Sequence, residues 1–184
     1  MPRLFIALEL PEEAKDQLAD LTGDLPGADW TLSENYHLTL RFLGEVDSEG
    51  FAAIREGLGG IQSKAFHLDL RGLGVFPLRG DPETLWTGAD RNESLQSLRN
   101  KVESLVVRRG QPPESRKFHP HVTLAKVRSV GPEWIGAFVA ENGLFSVRGI
   151  PVRSFGLFSS ERKSWGPEYT LEERYMLEGI LDGD

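Results

Sequence analysis

Two tetrapeptides, His37-Leu38-Thr39-Leu40 and His121-Val122-Thr123-Leu124, repeat one pattern 84 residues apart. Successive side chains of a strand point to opposite faces. His37 and Thr39 therefore share a face, with Leu38 and Leu40 on the other. His121 and Thr123 stand against Val122 and Leu124 in the same way. Each segment reads as a strand with one apolar face for a core and one His/Thr face free for chemistry. The chain holds four His and seven Thr in 184 residues. In random order, two histidines would each find Thr two places on in only about 1% of such chains.

The surroundings of the two segments also correspond. Arg3–Leu10 is a short apolar run ending at Pro11 and reads as a strand. Pro11–Leu21, with proline first and acids in the first turn, reads as a helix. Leu38–Val46 continues the first His/Thr segment as a strand. Ser48–Ile61 places Phe51, Ile54, Leu58 and Ile61 at helical spacing, with Ser48 as the expected N-cap. Phe66–Leu73 alternates as a half-buried strand, Gly74–Pro82 reads as a turn region, and Leu85–Thr87 as a short strand. Leu95, Leu98, Val102, Leu105 and Val106 mark a helix over Ser94–Val107. Phe118–Val127 is a strand interrupted early by Pro120, and Pro132–Ala140 a short helix. Val147–Leu157 and Tyr169–Leu177 read as late strands around a polar loop, residues 159–168. The pattern predicts an α+β fold of residues 1–184 as one domain of two pseudo-symmetric, intertwined lobes. Each lobe has a mainly antiparallel sheet with helices outside, and the site lies in the cleft between them.

Composition narrows the chemistry. The chain has no cysteine, which excludes a disulfide framework, a Cys-based zinc site and a cysteine nucleophile, and fits a cytoplasmic setting. Leu4–Leu10 is too short, and interrupted by Glu9, to serve as a signal core or membrane span. The residues after Leu177 carry no anchor motif. A net charge of −7 argues against broad coating of nucleic acid, which needs basic surface. It permits a grip on one terminal phosphate. Arg108, Arg109, Arg116, Lys117, Lys126 and Arg128 gather in one stretch, and a solvated surface accounts for most of them.

Histidine titrates near neutrality, so a pair can serve as acid and base together. Opening a cyclic phosphodiester with water requires both: a base for the attacking water, an acid for the departing ribose oxygen, roughly in line across phosphorus. Thr39 and Thr123 can donate hydroxyl hydrogen bonds to non-bridging oxygens. The scheme needs no metal and no cofactor.

The chain resembles the two-histidine (2H) phosphoesterases, and within them the bacterial and archaeal RNA 2′,3′-cyclic phosphodiesterases, also called 2′-5′ RNA ligases. The resemblance runs through RLFIALELP at 3–11, Trp30, HLTLRFLGEV at 37–46, RGLGVFP at 71–77, LW at 85–86, KFHPHVTLAK at 117–126, and FGLFSSE at 155–161 with Tyr169. It implies a bilobal fold with a pseudo-two-fold axis, His37 and His121 as catalytic residues, and Thr39 and Thr123 as phosphate ligands. It implies RNA ends or nucleotides with 2′,3′-cyclic phosphates as substrates, opened to 2′-phosphates with 3′-O leaving. We assign His37 as proton donor and His121 as proton acceptor, an order that the pattern alone leaves open. No membrane partner is expected, and a monomer is. Members of this family often carry Arg where this chain has Lys126, which keeps the charge without the planar fork.

Strict alternation puts Arg41 on the His37/Thr39 face as a candidate substrate contact and turns Lys126 away, unless a bulge re-aims it. Trp30, Trp86 and Phe42 can stack on a base but read better as core. His119-Pro120-His121 lacks a third metal ligand nearby, and catalytic zinc usually has three. His119 then reads as a strand-edge residue and His67 as exposed or structural. Gly72 and Gly74 read as a turn, not a phosphate loop. Two other readings stay open: 2′-5′ RNA ligation by the reverse chemistry, and a non-catalytic module that binds RNA ends.

Overall fold

The computed structural model describes residues 3–23, 25–76, 83–128, 130–164 and 166–181. Of the expected turn region Gly74–Pro82, Gly74–Phe76 prove to be strand, as does Gly72, while residues 77–82 and the chain end at 182–184 lie outside the described residues. In chain order the elements are β1 (Arg3–Glu9), α1 (Glu12–Ala19), β2 (Ala28–Trp30), a 3-10 turn (Ser33–Asn35), β3 (His37–Glu45), α2 (Ser48–Leu58), β4 (Phe66–Phe76) and β5 (Glu83–Ala89). They continue with α3 (Glu93–Arg108), β6 (His121–Val127), α4 (Pro132–Glu141), β7 (Ser146–Val152), β8 (Ser154–Lys163) and β9 (Gly166–Met176).

The strands form one sheet in the order β7-β4-β5-β6-β3-β1-β8-β9, with β2 also paired to β6. Every pairing between these strands is antiparallel. The architecture is the expected α+β fold of two matching halves, β9-β8-β1-β3 and β6-β5-β4-β7, joined edge to edge. The join is narrow: β3 and β6 share the single register pair Leu38↔Val122. Because it lies one residue past each histidine, it brings the two His/Thr segments side by side.

The two faces of the sheet divide the apolar residues. Leu4, Ile6 and Leu8 of β1 point into the main core with Leu38, Leu40, Val122 and Leu124, where they meet Ala14 and Leu18 of α1, Ile54 and Leu58 of α2, and Leu95, Leu98 and Val102 of α3. Phe5 and Ala7 point to the opposite face and form a separate small cluster with Phe158. β1 is buried on both faces, by the main core on one and by Phe158, Tyr169 and Leu171 on the other. The helices begin where capping allows. Asn92 Oδ1 accepts the Leu95 N–H at 2.9 Å to start α3. α2 is capped by Asp47, whose carboxylate accepts the Gly50 N–H at 2.7 Å, and not by Ser48 as expected.

Three element expectations are corrected. The single late strand expected over Val147–Leu157 is two, β7 and β8, because the chain crosses at Arg153 from the outer edge of one half to the other half. The expected polar loop at 159–168 is largely the end of the β8/β9 hairpin, with Ser159↔Thr170 and Lys163↔Gly166 in register. These ends are polar on both faces, so they carry no period-two signal. β6 begins at His121 and not at Phe118. β2, with three residues, is too short to show in the sequence. Among the described residues no helix is long and apolar enough to cross a membrane.

Candidate active site

His37 and His121 are held by the same backbone device. The 3-10 turn at 33–35 delivers the chain into β3 so that the Asn35 carbonyl lies 2.7 Å from His37 Nδ1. The His119 carbonyl lies 2.6 Å from His121 Nδ1. A carbonyl only accepts, so each Nδ1 carries the proton and donates it. Nε2 is left on both rings as the nitrogen that can take or give a proton.

Each ring is braced by aromatic edges. His37 sits 4.9 Å from Phe5 and 5.2 Å from Tyr169, the latter nearly perpendicular at 87°. His121 sits 4.9 Å from Phe76 at 84°, with Trp86 at 6.2 Å. Trp86 lies flat over β4 because Gly74 leaves the space: a Cβ there would stand 2.3 Å from the indole. Sequence reasoning had no means to find Phe5, Phe76 or the Asn35 carbonyl, because these contacts depend on strand order.

A cleft of about 450 Å³ is lined by all four expected residues, His37, Thr39, His121 and Thr123, with Lys126 and Tyr169 beside them. A larger concavity of about 1370 Å³ lies between α2 and α3. Its polar wall is the exposed face of α3, including Gln96, Ser97 and Asn100, and it holds none of the His/Thr residues.

Alternation fails at the same place in both motifs. Across β1 and β3, Ile6 and Ala7 face Arg41 and Thr39, so Leu40 is an extra residue. Across β5 and β6, Leu85 and Trp86 face Ala125 and Thr123, so Leu124 is extra. A bulge of one residue reverses the facing of everything beyond it. Lys126 therefore returns to the cleft, beside Asp29, its partner across β2. Arg41 leaves the His37/Thr39 face, against the expectation from alternation. Its side chain is 8% exposed, with Nε on Glu103 at 2.7 Å, Nη1 on the Phe42 carbonyl at 2.7 Å and Nη2 on the Pro112 carbonyl. Phe42 takes the cleft-facing place, 56% exposed and not in the core as expected. Trp30 is half-buried against Phe138 while lining the cleft. Trp86 is half-buried on the cleft side, its indole N–H unpartnered. His67 is exposed on β4. Among the described residues no three His, Asp or Glu side chains converge as a metal site.

Burial pushes the pKa of both histidines down. For His37 the Asn35 carbonyl opposes this and repulsion from His121 adds to it. For His121 the His119 carbonyl opposes it and the His119 ring adds to it.

A profile of the LigT-like phosphoesterases matches residues 8–86 and again residues 88–169, one His-x-Thr strand in each. The chain belongs to the LigT-like phosphoesterase family. It is 39% identical over 145 residues to the RNA 2′,3′-cyclic phosphodiesterase of Aeropyrum pernix, covering 76% of this chain and 81% of that protein. It is 32% identical over 187 residues to the RNA 2′,3′-cyclic phosphodiesterase of Thermotoga maritima, covering 97% of each. The crystal structure of E. coli LigT complexed with 3′-AMP matches with a TM-score of 0.76 at 29% identity, over 97% of this chain and 100% of that one. The two profile matches cross the halves of the sheet in this LigT-like phosphoesterase: the first includes β4 and most of β5, which lie beside β6, and the second includes β8, which lies beside β1.

Proposed function

We propose that this LigT-like phosphoesterase hydrolyses RNA or nucleoside 2′,3′-cyclic phosphates to 2′-phosphates by two-histidine acid–base catalysis. One observation carries the reading: two imidazoles, each with Nδ1 tied to the carbonyl two residues earlier, present Nε2 to one cleft beside two threonines. The names of the relatives in Aeropyrum pernix and Thermotoga maritima support the substrate class.

Neutral Nε2 accepts a proton and protonated Nε2–H donates one, so the fixed tautomer suits either role. His121 takes the proton of the attacking water as the water oxygen bonds to phosphorus. The P–O3′ bond breaks in line, and His37 protonates the departing 3′-O. Thr39 and Thr123 hold the non-bridging oxygens where charge gathers. His121 is given the water because its ring also faces the second opening beside the cleft, whereas His37 is closed in by Phe5 and Tyr169. No step calls for a metal or cofactor. The same reading takes residues 1–184 as one domain of two intertwined lobes, acting as a monomer in the cytoplasm.

The test is turnover of a nucleoside 2′,3′-cyclic phosphate in EDTA, with the product resolved as 2′- or 3′-phosphate. The 2′-phosphate is expected. Turnover only after metal is added, or a 3′-phosphate product, overturns the mechanism.

The lowered pKa values give a second expectation. The kcat/KM profile, which reports the free enzyme, is bell-shaped because one histidine must be charged and the other neutral. Burial disfavours both charged forms, with repulsion from His121 adding at His37 and from His119 at His121, so the maximum falls on the acid side of the ordinary histidine value of about 6.5. Bound phosphate favours the charged forms, so the kcat profile lies further to the alkaline side. A kcat/KM maximum above neutrality contradicts the pairing.

A further inference from the structure

The residue two places before each catalytic histidine lends its carbonyl to the histidine Nδ1, and at its side chain the two halves differ. In the first half it is Asn35, an uncharged amide that donates to the Pro167 carbonyl at 3.2 Å. In the second it is His119, a third imidazole. The His119 ring lies 4.7 Å from Trp86 at 65° and 5.2 Å from Phe76 at 85°. Both of those rings also stand against His121. His119 is thereby held with its ring 6.2 Å from the His121 ring.

An amide does not resist a proton on His37. A second imidazole resists one on His121, because two protonated rings would face each other as like charges. His119 is exposed, so the dielectric constant of water sets the lower bound of the effect. At this separation that bound is a shift of roughly half a pH unit in the titration of the neighbour. Repulsion from His119 is among the causes that lower the pKa of His121, and among those acting on His37 it has no part. The charged groups on the same wall are Arg41 of β3, Arg99 of α3, and Glu114, Arg116 and Lys117 of the segment before β6. The one carboxylate among them, Glu114, is taken by Arg116 at 3.1 Å and Arg41 at 3.7 Å. Among the described residues no carboxylate is within ion-pair reach of His119.

The active form of the pair holds one proton for two rings. We infer that His119 is a positioning residue that steers this proton away from His121 and toward His37. The inference rests on the phosphodiesterase reading and deepens it, because two like His-x-Thr motifs do not by themselves set an order of acid and base. Burial resists a proton on both rings. His119 adds its resistance at His121 alone, which favours His121 as the base for water and His37 as the acid for 3′-O.

Two substitutions separate charge from shape. His119→Phe keeps a ring against Trp86 and Phe76 and removes the charge. His119→Lys removes the ring and keeps a charge. Both leave the carbonyl that orients His121. The imidazole Cε1–H resonances of the free proteins are followed with pH by NMR, beside kcat/KM on a nucleoside 2′,3′-cyclic phosphate. In H119F the His121 titration is expected to move up by roughly half a pH unit or more, and the His37 titration not to follow it. The kcat/KM optimum lies midway between the two limbs of the bell, so it moves to higher pH by about half of that shift. H119K is expected to stay closer to wild type in both readouts. His119→Gln, also uncharged, carries the same expectation if H119F does not fold. A His121 titration that is unchanged in H119F, or that moves equally in H119F and H119K, overturns the inference, since the ring then only packs. A titration that moves while the kcat/KM optimum stays overturns it too, since the proton on His121 is then not the one that the reaction uses. No turnover by wild type at any pH overturns the phosphodiesterase reading itself, and the inference with it.

Discussion

His37→Ala and His121→Ala are each expected to lower kcat/KM on a nucleoside 2′,3′-cyclic phosphate by about 10²–10⁴-fold, the usual range for one general acid or base. Neither change is expected to unfold the protein, since both rings lie at the cleft and not in the main core. The double variant should lose little more than the worse single one, because acid and base act in one transition state and such losses do not add. Asparagine separates chemistry from support. It keeps a donor toward the Asn35 or His119 carbonyl but no group that titrates near neutrality, so His37→Asn and His121→Asn should fall as far as alanine. Steady-state kinetics, with thermal melts to verify folding, check all five variants. If either histidine can be replaced with near-native rates, the acid–base pair is wrong. If the asparagine variants recover activity, the rings serve only to position other groups.

The motif residues were legible because strand period and chemistry agree over three positions. In both segments His and Thr share a face and the intervening residue, Leu38 or Val122, is fully buried. What lay one residue further was not legible. A bulge at Leu40 or Leu124 leaves an apolar residue buried, as plain alternation also would, so nothing at the bulge itself announces it. Its effect appears only downstream, where Arg41 and Phe42 exchange faces and Lys126 returns to the cleft. The long amphipathic helix α3 was read correctly because five buried apolar residues recur at its period. The outer hairpin of β8 and β9 was half-missed because its end lies beyond the core. The narrow join at Leu38↔Val122, which creates the site, is a contact between distant segments and leaves no local trace.

The exchange of Arg41 and Phe42 gives the second large effect. Arg41→Ala is expected to destabilise the fold by about 2–3 kcal/mol, below the 3–5 typical of a fully buried pair. The lower figure follows from the site. Arg41 and Glu103 are 8% and 16% exposed, and Glu103 keeps the Glu114 N–H at 2.8 Å when Arg41 is gone. The carbonyls of Phe42 and Pro112 lose their donors. For a chain of this length that corresponds to a fall in Tm of roughly 5–10 °C. Arg41→Lys should lie between, since one ammonium does not replace a fork that reaches a carboxylate and two carbonyls. Replacing Glu103 as well, as in Arg41→Met with Glu103→Leu, should cost less than the sum of the single changes, because the two lose one shared ion pair, although Arg99 at 3.8 Å and the Glu114 N–H then lose Glu103. The kinetic expectation is the discriminating one. Below the melting range, kcat/KM of Arg41→Ala should stay within about tenfold of wild type, whereas removing a donor to the reacting phosphate costs about 10²–10³. A loss of that size with an unchanged Tm would mean that Arg41 turns from Glu103 to the substrate, and that the bulge at Leu40 does not hold in the bound enzyme.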